Sequence, residues 1–399
     1  MAKILILSNG HGEDLSGSLL AKKLIKLGNN VEALPLVGNG IAYKKNDIKV
    51  VSKTREFSTG GLGYNSLRGR ISDIFNGQII YFLKKLLLTL LIRNEYKYFL
   101  VVGDIVPLSF AWLSRKKFFV YLVAYSSHYE GKLSMPWPGN YFLSSKKLQN
   151  LYTRDIFTAK DLTRQLNRKV FFYGNPFLDV FSNLERQLNQ SIFNIVLLPG
   201  SRMPELINNL YLLLNVLENL SQYEYFQNVE FNFAIINSCS FQRISKILSA
   251  NNWVLKNHQL TRECLVMNHK FITVNFKWNS FEESLLNSDL VISMAGTATE
   301  QAVGLHKPII QVEGYGPQFT KLFADAQRRL LGRYIFCITK YKTKKEKIEK
   351  TSNLIIKILY LINLDKNFLK SCKENSKQRI GDINSSDKMA IDIDNIINN

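Results

Sequence analysis

Short apolar runs alternate with stretches of helical pattern in the first half of the chain. Residues 3–7 and 31–36 have the character of strands, and residues 14–27 between them have the pattern of a helix. A strand–helix–strand opening predicts a parallel sheet with right-handed crossovers. Further apolar runs, bounded by glycine, charged residues or turn formers, predict strands at 99–102, 118–123 and 170–173.

The same alternation begins again beyond a polar stretch at residues 183–190. It predicts strands at 193–198, 229–236, 271–274, 290–294 and 308–312, with helices over 204–220 and from Thr297 onward. We therefore predict an α/β fold with two domains, residues 1–180 and 181–365. Residues 366–399 are predicted to form a helical tail that becomes polar from Lys373 and frays at its end.

The composition indicates a globular protein with more than one core. A chain of 399 residues with 46% hydrophobic residues and 9 prolines is long enough for two domains. Its four cysteines are scattered without a C-x-x-C pair, which argues against a zinc site or a disulfide framework. The first residues lack the apolar core of a signal peptide and are expected to remain as a strand. A reducing cytoplasm is the expected location.

The formal net charge of +20 favours attraction to polyanions such as nucleic acid, anionic lipid or phosphorylated substrates. A general bias towards lysine would account for the same excess. No RNP motif or paired Cys/His finger is present, so we expect no nucleic-acid partner.

The most apolar stretch, residues 79–92, is interrupted by Lys84 and Lys85 and is too short to span a bilayer. As a helix it would either be buried in its domain, which is the commoner fate, or lie in an anionic membrane interface. In the second case the two lysines would attract the protein to anionic lipid.

The first of three glycine-containing turns has the sequence N-G-H-G-E-D and follows the first predicted strand. In open α/β sheets, ligands bind beyond the carboxyl ends of strands, where such turns lead into helices. Gly10 and Gly12 would let a ligand approach the backbone, while His11, Glu13 and Asp14 supply titratable groups. The spacing is not that of a dinucleotide site. A tight turn with Asp14 as the helix cap is the structural alternative.

The second turn, L-P-G-S-R-M-P-E, follows the predicted strand at 193–198. Gly200 and Ser201 would offer backbone N–H groups at the start of a helix, and Arg202 adds a fork of donors that suits phosphate oxygens. A simple strand-to-helix connection, with Pro204 in the first helical turn, is the alternative.

The third turn places small and hydroxyl residues at another helix start after the predicted strand at 290–294. Its backbone and hydroxyl donors could hold a diphosphate, with Glu300 or Gln301 near a ribose. Alone it would be a helix cap. The donors belong to Gly296, Thr297, Ala298 and Thr299.

The second and third turns together resemble the donor-binding half of GT-B glycosyltransferases, and specifically the lipid-A-disaccharide synthase family. That family's Leu-Pro-Gly-Ser-Arg-x-x-Glu stretch is similar to the second turn, which ends in Glu205, and its Ser-Gly-Thr-Ala-Thr stretch is similar to residues 295–299. A Gly-x-Pro at the domain junction is matched by Gly174-Asn175-Pro176, with Asp179 following. The motifs are most specific in the C-terminal half.

The resemblance runs from about residue 1 to 330 and departs from the family pattern in the N-terminal half. The family's Gly-Glu-x-Ser-Gly-Asp corresponds to residues 12–18, which are one residue longer and have serine at the final aspartate position. Its Asp-x-Pro-Asp-Phe region resembles the segment from Asp104 to Leu108, where leucine replaces the second carboxylate. The chain is therefore similar to a divergent member of the family.

The resemblance implies the GT-B architecture, in which two Rossmann-like domains face each other across a cleft, with the acceptor side first and the nucleotide-sugar side second. It implies inverting transfer of a sugar, such as an acylated glucosamine, from a UDP-sugar to a lipid-linked or glycolipid acceptor, with no metal and no further cofactor. The catalytic base would be His11, Glu13 or Asp104, although Asp104 could instead cap a turn. Gly10, Gly12 and Asn175 would line the acceptor side.

A transferase of this kind would be cytoplasmic and peripheral, at the inner face of the cytoplasmic membrane, with the anionic surface as a partner. Because fold does not fix function, a nucleotide-sugar epimerase on the same architecture is an alternative. A non-catalytic relative that binds membranes is a further alternative, supported by charge alone.

Overall fold

The chain forms two compact units in the computed structural model. The first unit comprises Met1–Ser182 and Gln378–Asn399, and the second comprises Asn183–Lys377. The second unit is therefore inserted into the chain of the first. The structure describes residues 1–55, 78–129, 131–187, 192–255, 264–314, 320–338 and 340–399.

The first unit contains a five-stranded sheet whose strands are all parallel. The strands are β1 Lys3–Ser8, β2 Asn30–Pro35, β3 Tyr98–Gly103, β4 Lys117–Leu122 and β5 Leu148–Thr153. Their order is β2-β1-β3-β4-β5. Successive residues of β1 enter opposite cores, Leu5 and Leu7 on one side and Ile4 and Ile6 on the other. Both faces are covered, as a parallel sheet requires.

The helices of the first unit connect these strands. They are α1 His11–Lys26, α2 Ile41–Lys45, α3 Gln78–Ile92, α4 Ile105–Leu113, α5 Gly139–Leu143 and α6 Ile156–Leu166, with 3-10 turns at Arg93–Glu95 and Pro176–Phe181. The prediction of a strand at 170–173 was wrong, because only Phe171 pairs there, in an isolated bridge with Tyr152. Helix α1 begins three residues earlier than its pattern predicted.

The second unit contains an eight-stranded sheet that is parallel apart from one end. Its strands are β6 Phe193–Leu198, β7 Val229–Ile235, β8 Val254–Leu255, β9 Cys264–His269, β10 Ile272–Trp278, β11 Leu290–Ser293, β12 Ile309–Gln311 and β13 Ile335–Cys337. Their order is β13-β12-β11-β6-β7-β10-β9-β8, and β9 is antiparallel to both of its neighbours. The sequence pattern did not predict β8, β9 or β13. The α/β class with two parallel-dominated sheets is confirmed.

The helices of the second unit cover this sheet around one large apolar core. They are α7 Glu205–Leu220, α8 Phe241–Ser249, α9 Phe281–Asn287, α10 Thr297–Gly304, α11 Lys321–Leu331, α12 Lys344–Leu364 and α13 Lys366–Arg379, with a 3-10 turn at Glu224–Asn228. Among the described residues, no helix is both long enough and apolar enough to cross a bilayer.

The end of the chain is an ordered helix, α14 Ser385–Asn398, and the prediction of a fraying tail was wrong. Met389 and Ile393 of α14 are buried in the same core as Leu20 and Leu24 of α1. Helix α14 has only one apolar stripe, and that stripe faces the sheet, so most positions of this segment are polar.

Candidate functional site

The first glycine turn lies at the carboxyl edge of the first unit's sheet. Gly10 precedes helix α1, and a side chain at this position would collide with the Glu13 carboxylate. A Cβ atom at Gly103, the last residue of β3, would lie 3.6 Å from Glu13 Cγ. Glu13 therefore lies over the end of the neighbouring strand. His11 and Gly12 occupy the first turn of the same helix, so the structure brings His11 and Glu13 to one edge.

Asp104 follows β3 and caps helix α4. Its Oδ1 accepts a hydrogen bond from the Val106 backbone N–H at 2.8 Å, and its Oδ2 accepts one from Asn9 Nδ2 at 2.9 Å. Asp104 is buried. The structure places Asp104 beside the first turn. It has the capping role that the sequence analysis gave as an alternative, and each of its carboxylate oxygens accepts a hydrogen bond.

Asp14 is a second buried carboxylate at this edge, and it is not a cap. It lies within helix α1, where its Oδ1 accepts a hydrogen bond from Ser8 Oγ at 2.6 Å, and Tyr43 Oη donates to the same Ser8 hydroxyl at 2.9 Å. Burial raises the pKa of Asp14 to about 7, against opposing hydrogen bonds from Ser8 and the Gly40 backbone.

His11 and Asp14 converge on one glycine. A Cβ atom at Gly38 would lie 3.4 Å from Asp14 Oδ2 and 3.5 Å from His11 Cε1. An exposed histidine near a buried carboxyl whose pKa is raised to about 7 can take part in proton transfer. The glycines and the acid at the start of the helix were the sequence signals for this pair, but the capping interpretation of Asp14 was wrong.

Asn175, predicted on the acceptor side, is buried inside the first unit. Its Nδ2 donates to the carbonyl oxygens of Arg154 at 2.8 Å and Ile380 at 2.6 Å, and its Oδ1 accepts from Tyr121 Oη at 2.6 Å. With both N–H donors used, the side chain fixes the final segment of the chain. Asp179, in the matching motif, likewise binds the start of α14.

The second turn lies at the carboxyl end of β6, in the second unit. Gly200 has a φ of 100°, which favours glycine, and a Cβ atom there would lie 3.2 Å from the Met294 carbonyl oxygen. The Leu206 N–H donates to the Arg202 carbonyl oxygen at 2.8 Å as helix α7 begins. Within the described residues, the N–H groups of Ser201 and Arg202 have no acceptor and the Arg202 guanidinium has no partner. Arg202 and Ser201 are exposed.

The third turn lies beside the second because β11 and β6 are neighbours. The Met294 N–H donates to the Leu198 carbonyl oxygen at 2.8 Å. No side chain caps helix α10, and in the part of the chain that the structure describes the N–H groups of Thr297 and Ala298 find no acceptor. The two turns therefore expose unpaired N–H donors, beside an arginine, at one sheet edge.

The remaining residues predicted for the donor site have different roles. Thr299 is buried, and its Oγ1 bonds to Ser293 Oγ at 2.6 Å and to the Ala295 carbonyl oxygen at 2.5 Å, so its hydroxyl closes the turn. Glu300 is half-buried and Gln301 is buried in the same helix.

Glu205, the first residue of α7, has a buried Oε2 without a hydrogen-bond partner among the described residues. Glu205 is therefore an unsatisfied acceptor close to the second turn.

The described residues contain no cluster of three or more histidine, cysteine or acidic side chains that could hold a metal ion. All four cysteines are free, and burial raises the pKa of each thiol. Neither a resident metal nor a reactive thiolate is evident in the parts of the chain that are described.

The apolar stretch predicted as a buried or interfacial helix is α3. Its fully buried residues are polar (Gln78, Lys85 and Thr89), and four apolar residues are partly buried against the core: Phe82, Leu86, Leu88 and Ile92. Lys85 Nζ donates to Ser52 Oγ at 2.7 Å and to the Lys53 carbonyl oxygen at 2.6 Å, and burial lowers the pKa of this lysine to about 8. The expectation that Lys85 attracts lipid head groups is therefore wrong. Five apolar side chains of the helix are exposed instead: Ile79, Ile80, Leu83, Leu87 and Leu91.

One further polar cluster was missed from the sequence. It joins the ends of β4 and β5 and contains His128, Asp155, Ser126 and Thr158. His128 comes a few residues after the predicted strand at 118–123, which was the signal available in the sequence, whereas Asp155 follows β5, a strand that the sequence pattern did not predict.

Comparison with known proteins identifies the architecture. No protein-family model and no curated protein matches the chain. Among solved structures, a UDP-GlcNAc 2-epimerase from Neisseria meningitidis bound to UDP-GlcNAc aligns with a TM-score of 0.55 and 14% identity over 100% of both chains. The spinosyn rhamnosyltransferase SpnG complexed with thymidine diphosphate aligns with a TM-score of 0.57 and 11% identity, over 98% of this chain and 100% of that one.

A third similar structure is the S. aureus MnaA–UDP complex, with a TM-score of 0.57 and 12% identity, over 100% of this chain and 97% of that one. At these identities the likeness establishes the fold and nothing finer. The chain has the GT-B architecture of two Rossmann-like domains, which glycosyltransferases share with UDP-GlcNAc 2-epimerases.

Proposed function

We propose that this protein is a glycosyltransferase that moves a sugar, such as an acylated glucosamine, from a UDP-sugar to a lipid-linked or glycolipid acceptor. The donor-binding part of this proposal rests on the two adjacent turns in the second unit. Unpaired N–H groups of Ser201, Arg202, Thr297 and Ala298 surround one sheet edge, and the free Arg202 guanidinium lies on the same turn. Such a surface favours a diphosphate.

The same groups would stabilise the leaving group. As the bond between the sugar and the diphosphate breaks, negative charge grows on the phosphate oxygens, and preorganised N–H donors and an arginine favour that charge. In this mechanism the role of a metal is filled by protein donors, so neither a metal nor a further cofactor is part of the proposal. Glu300 and Gln301 on helix α10 are the proposed ribose ligands.

Arg202→Ala should weaken UDP binding by about 1.5 to 3 kcal/mol, the usual worth of a hydrogen bond to a charged group. Isothermal titration with UDP at fixed ionic strength measures this loss. Arg243→Ala, which removes another exposed arginine of the second unit, is the matched control and should bind normally. Equal affinity of Arg202→Ala and wild type would reject Arg202 as a phosphate ligand.

An epimerase is the second candidate, because two of the similar structures are named UDP-GlcNAc 2-epimerase or bound to UDP. The two functions differ in their need for an acceptor. Incubation with UDP-GlcNAc alone, followed by separation of the sugar epimers, distinguishes them. Formation of a second UDP-sugar without acceptor would favour the epimerase, whereas UDP release that requires lipid would favour transfer.

The exposed side of helix α3 supports a lipid acceptor. Leu87 is 60% and Leu91 80% exposed on helix α3. Exposed apolar stripes of this size usually mark a partner or a membrane. Helix α3 contacts α4, which contacts α5, and the Trp112 and Tyr141 rings of those two helices lie 5.5 Å apart. Tyr141 is 66% exposed and Trp112 is half-buried, and aromatic residues are enriched at membrane interfaces.

The charge of the surrounding sequence fits an anionic bilayer. Residues 78–147 contain ten basic and three acidic residues, and Lys84 is exposed on α3 itself. Basic residues near an anionic surface contribute about 1 kcal/mol each at low salt. We therefore propose a peripheral protein at the inner face of the cytoplasmic membrane, held by the α3 stripe and by surrounding basic residues.

A double variant, Leu87→Asp with Leu91→Asp, should reduce binding to vesicles of phosphatidylglycerol and phosphatidylcholine by roughly 100-fold, because burying two leucines contributes about 3 kcal/mol. Vesicle sedimentation measures the binding. Leu322→Asp, at a leucine of the second unit that is 81% exposed, is the control and should bind normally. Full binding by the double variant would exclude α3 as the contact. Strong vesicle binding without any UDP affinity would instead favour the non-catalytic relative.

A further inference from the structure

A histidine and a buried aspartate meet at the ends of two neighbouring strands of the first unit. His128 follows β4 and Asp155 follows β5, and the distance between His128 Nε2 and Asp155 Oδ1 is 3.6 Å. Strand β4 also pairs with β3, and Asp104 directly follows β3. His128 therefore lies at the same carboxyl edge as the acceptor-side residues.

Hydrogen bonds from neighbouring residues hold the Asp155 carboxylate in place. It is fully buried, its Oδ1 accepts from the Thr158 N–H at 2.7 Å, and its Oδ2 accepts from Thr158 Oγ1 at 2.8 Å and from Ser126 Oγ at 2.7 Å. It also caps helix α6. Because these donors determine its orientation, Oδ1 has to remain directed at the His128 ring.

This geometry selects one neutral form of the imidazole. A carboxylate oxygen attracts an N–H group and repels a lone pair, so Nε2 carries the hydrogen and Nδ1 carries the lone pair. Nε2 is buried 3.6 Å from Oδ1 and makes no hydrogen bond among the described residues, and none is made to Nδ1 there either. Burial lowers the pKa of His128, Arg379 and Arg154 act in the same direction, and Asp155 opposes them. A lowered pKa favours the neutral ring, which is the form that can accept a proton.

Resting on the proposed glycosyl transfer, we propose that Nδ1 of His128, oriented by Asp155, takes the proton from the acceptor hydroxyl. As that proton moves to Nδ1, the acceptor oxygen bonds to the anomeric carbon. The bond from this carbon to the diphosphate breaks, and its electron pair leaves with the diphosphate. Asp155 then stabilises the imidazolium that has formed.

The other groups at this edge are less suited to the step. Asp104 is buried, and each of its oxygens already accepts a hydrogen bond, which holds the carboxylate as the cap of helix α4. Ser126 donates to Asp155 and not to His128, so the cluster is not an acyl-transfer triad. His11 is the principal competitor for the role, because its ring edge lies beside Asp14 near Gly38.

The form of the imidazole can be measured without any substrate. The chain has only 5 histidines, so nitrogen-15 labelling of histidine, with His128→Gln to assign the signal, resolves the ring by NMR. At pH 7.5 we expect the neutral ring with hydrogen on Nε2, and Asp155→Asn should increase the population with hydrogen on Nδ1. A hydrogen on Nδ1 in the wild type, or a protonated ring at that pH, would overturn the proposal.

The second measurement is UDP release from UDP-GlcNAc in the presence of vesicles of total Gram-negative lipid. His128→Gln should lower kcat by about 100-fold, with the KM for UDP-GlcNAc and the Tm unchanged. His269→Gln in the second unit should behave as wild type. Retained turnover in His128→Gln, together with its loss in His11→Gln, would transfer the role to His11. If the wild type fails to bind UDP, the proposed donor site is wrong, and the NMR measurement alone decides whether the His128–Asp155 pair exists.

Discussion

Asp14→Asn should stabilise the protein by about 4 kcal/mol at pH 8, with a gain that shrinks below pH 7 and disappears near pH 4. Asp14 is buried in helix α1, and burial raises its pKa from the ordinary 3.8 to about 7. Ionising this carboxyl in the folded state is therefore unfavourable. Asparagine has nearly the same shape and never ionises, so it avoids that cost.

The sign of the pH dependence follows from the raised pKa. The folded state holds the Asp14 proton more tightly than the unfolded state, so the stabilising contribution is complete below pH 3.8. It then falls by about 1.4 kcal/mol per pH unit and is lost once the pH passes about 7. Above that pH the wild type has the full destabilisation from the ionised Asp14 carboxylate, whereas the asparagine variant has none.

Urea unfolding of the full chain at several pH values between 4.5 and 8 measures this difference. Asp47→Asn, at an exposed aspartate of the same unit, is the control, and its difference from wild type should not change with pH. A constant difference for Asp14→Asn across the range, or a loss of stability at pH 8, would mean that Asp14 is held as a carboxylate.

The position of this unfavourable carboxyl is informative. Tyr43, Ser8 and Asp14 form a buried hydrogen-bonded chain that ends beside the His11 ring edge at Gly38. Groups whose pKa is shifted by burial are concentrated at functional sites, where residues needed for activity often reduce the stability of the fold. This hydrogen-bonded chain therefore supports the first glycine turn as a candidate functional site.

Apolar runs in the sequence predicted most of the strands that position the site, but not β5, whose sequence L-Q-N-L-Y-T is partly polar. Runs such as residues 3–7 and 193–198 are buried on both faces, so they are continuously apolar and stand out between polar turns. The turns after β6 and β11 were predictable because glycine and helix-starting residues follow those runs directly. The antiparallel strand β9 has no such signal, since its register depends on its pairing with β10.

The orientation of helix α3 was not predictable, because nearly every position in it is apolar. Burial of Lys85 depends on Ser52 Oγ and the Lys53 carbonyl oxygen, which accept its hydrogen bonds from more than thirty positions earlier in the chain. A pattern confined to the helix cannot contain that information. The apolar stripe consequently faces outward, against the commoner expectation of burial.

The His128–Asp155 pair was missed for a related reason. Its members are far apart in sequence, and they meet only because β4 and β5 are neighbours in the sheet. The resemblance to a known family drew attention to Asn175 and Asp179 as junction residues. Their structural role became clear only from their contacts with Ile380 and with the start of α14.

Asp179→Ala should destabilise the protein by about 4 kcal/mol, because it removes a buried carboxylate that holds the start of helix α14. The carboxylate accepts hydrogen bonds from the N–H groups of Asn384 at 2.6 Å, Ser385 at 3.1 Å and Ser386 at 2.7 Å, and from the Ser386 hydroxyl. Alanine would leave these donors without an acceptor at a helix N-terminus, where a negative charge is favourable.

The loss of stability caused by Asp179→Ala should be largest in α14 and should extend to the candidate site at the start of α1. Met389 and Ile393 of α14 pack with Leu20 and Leu24 of α1, and α1 begins at His11. Urea unfolding gives the total loss, and amide hydrogen exchange in α14 and α1 locates it. Asp387→Ala is the matched control, since its exposed ion pair with Lys23 should contribute less than about 1 kcal/mol. Equal losses for the two variants, or unchanged exchange in α14, would show that Asp179 does not hold this helix in place.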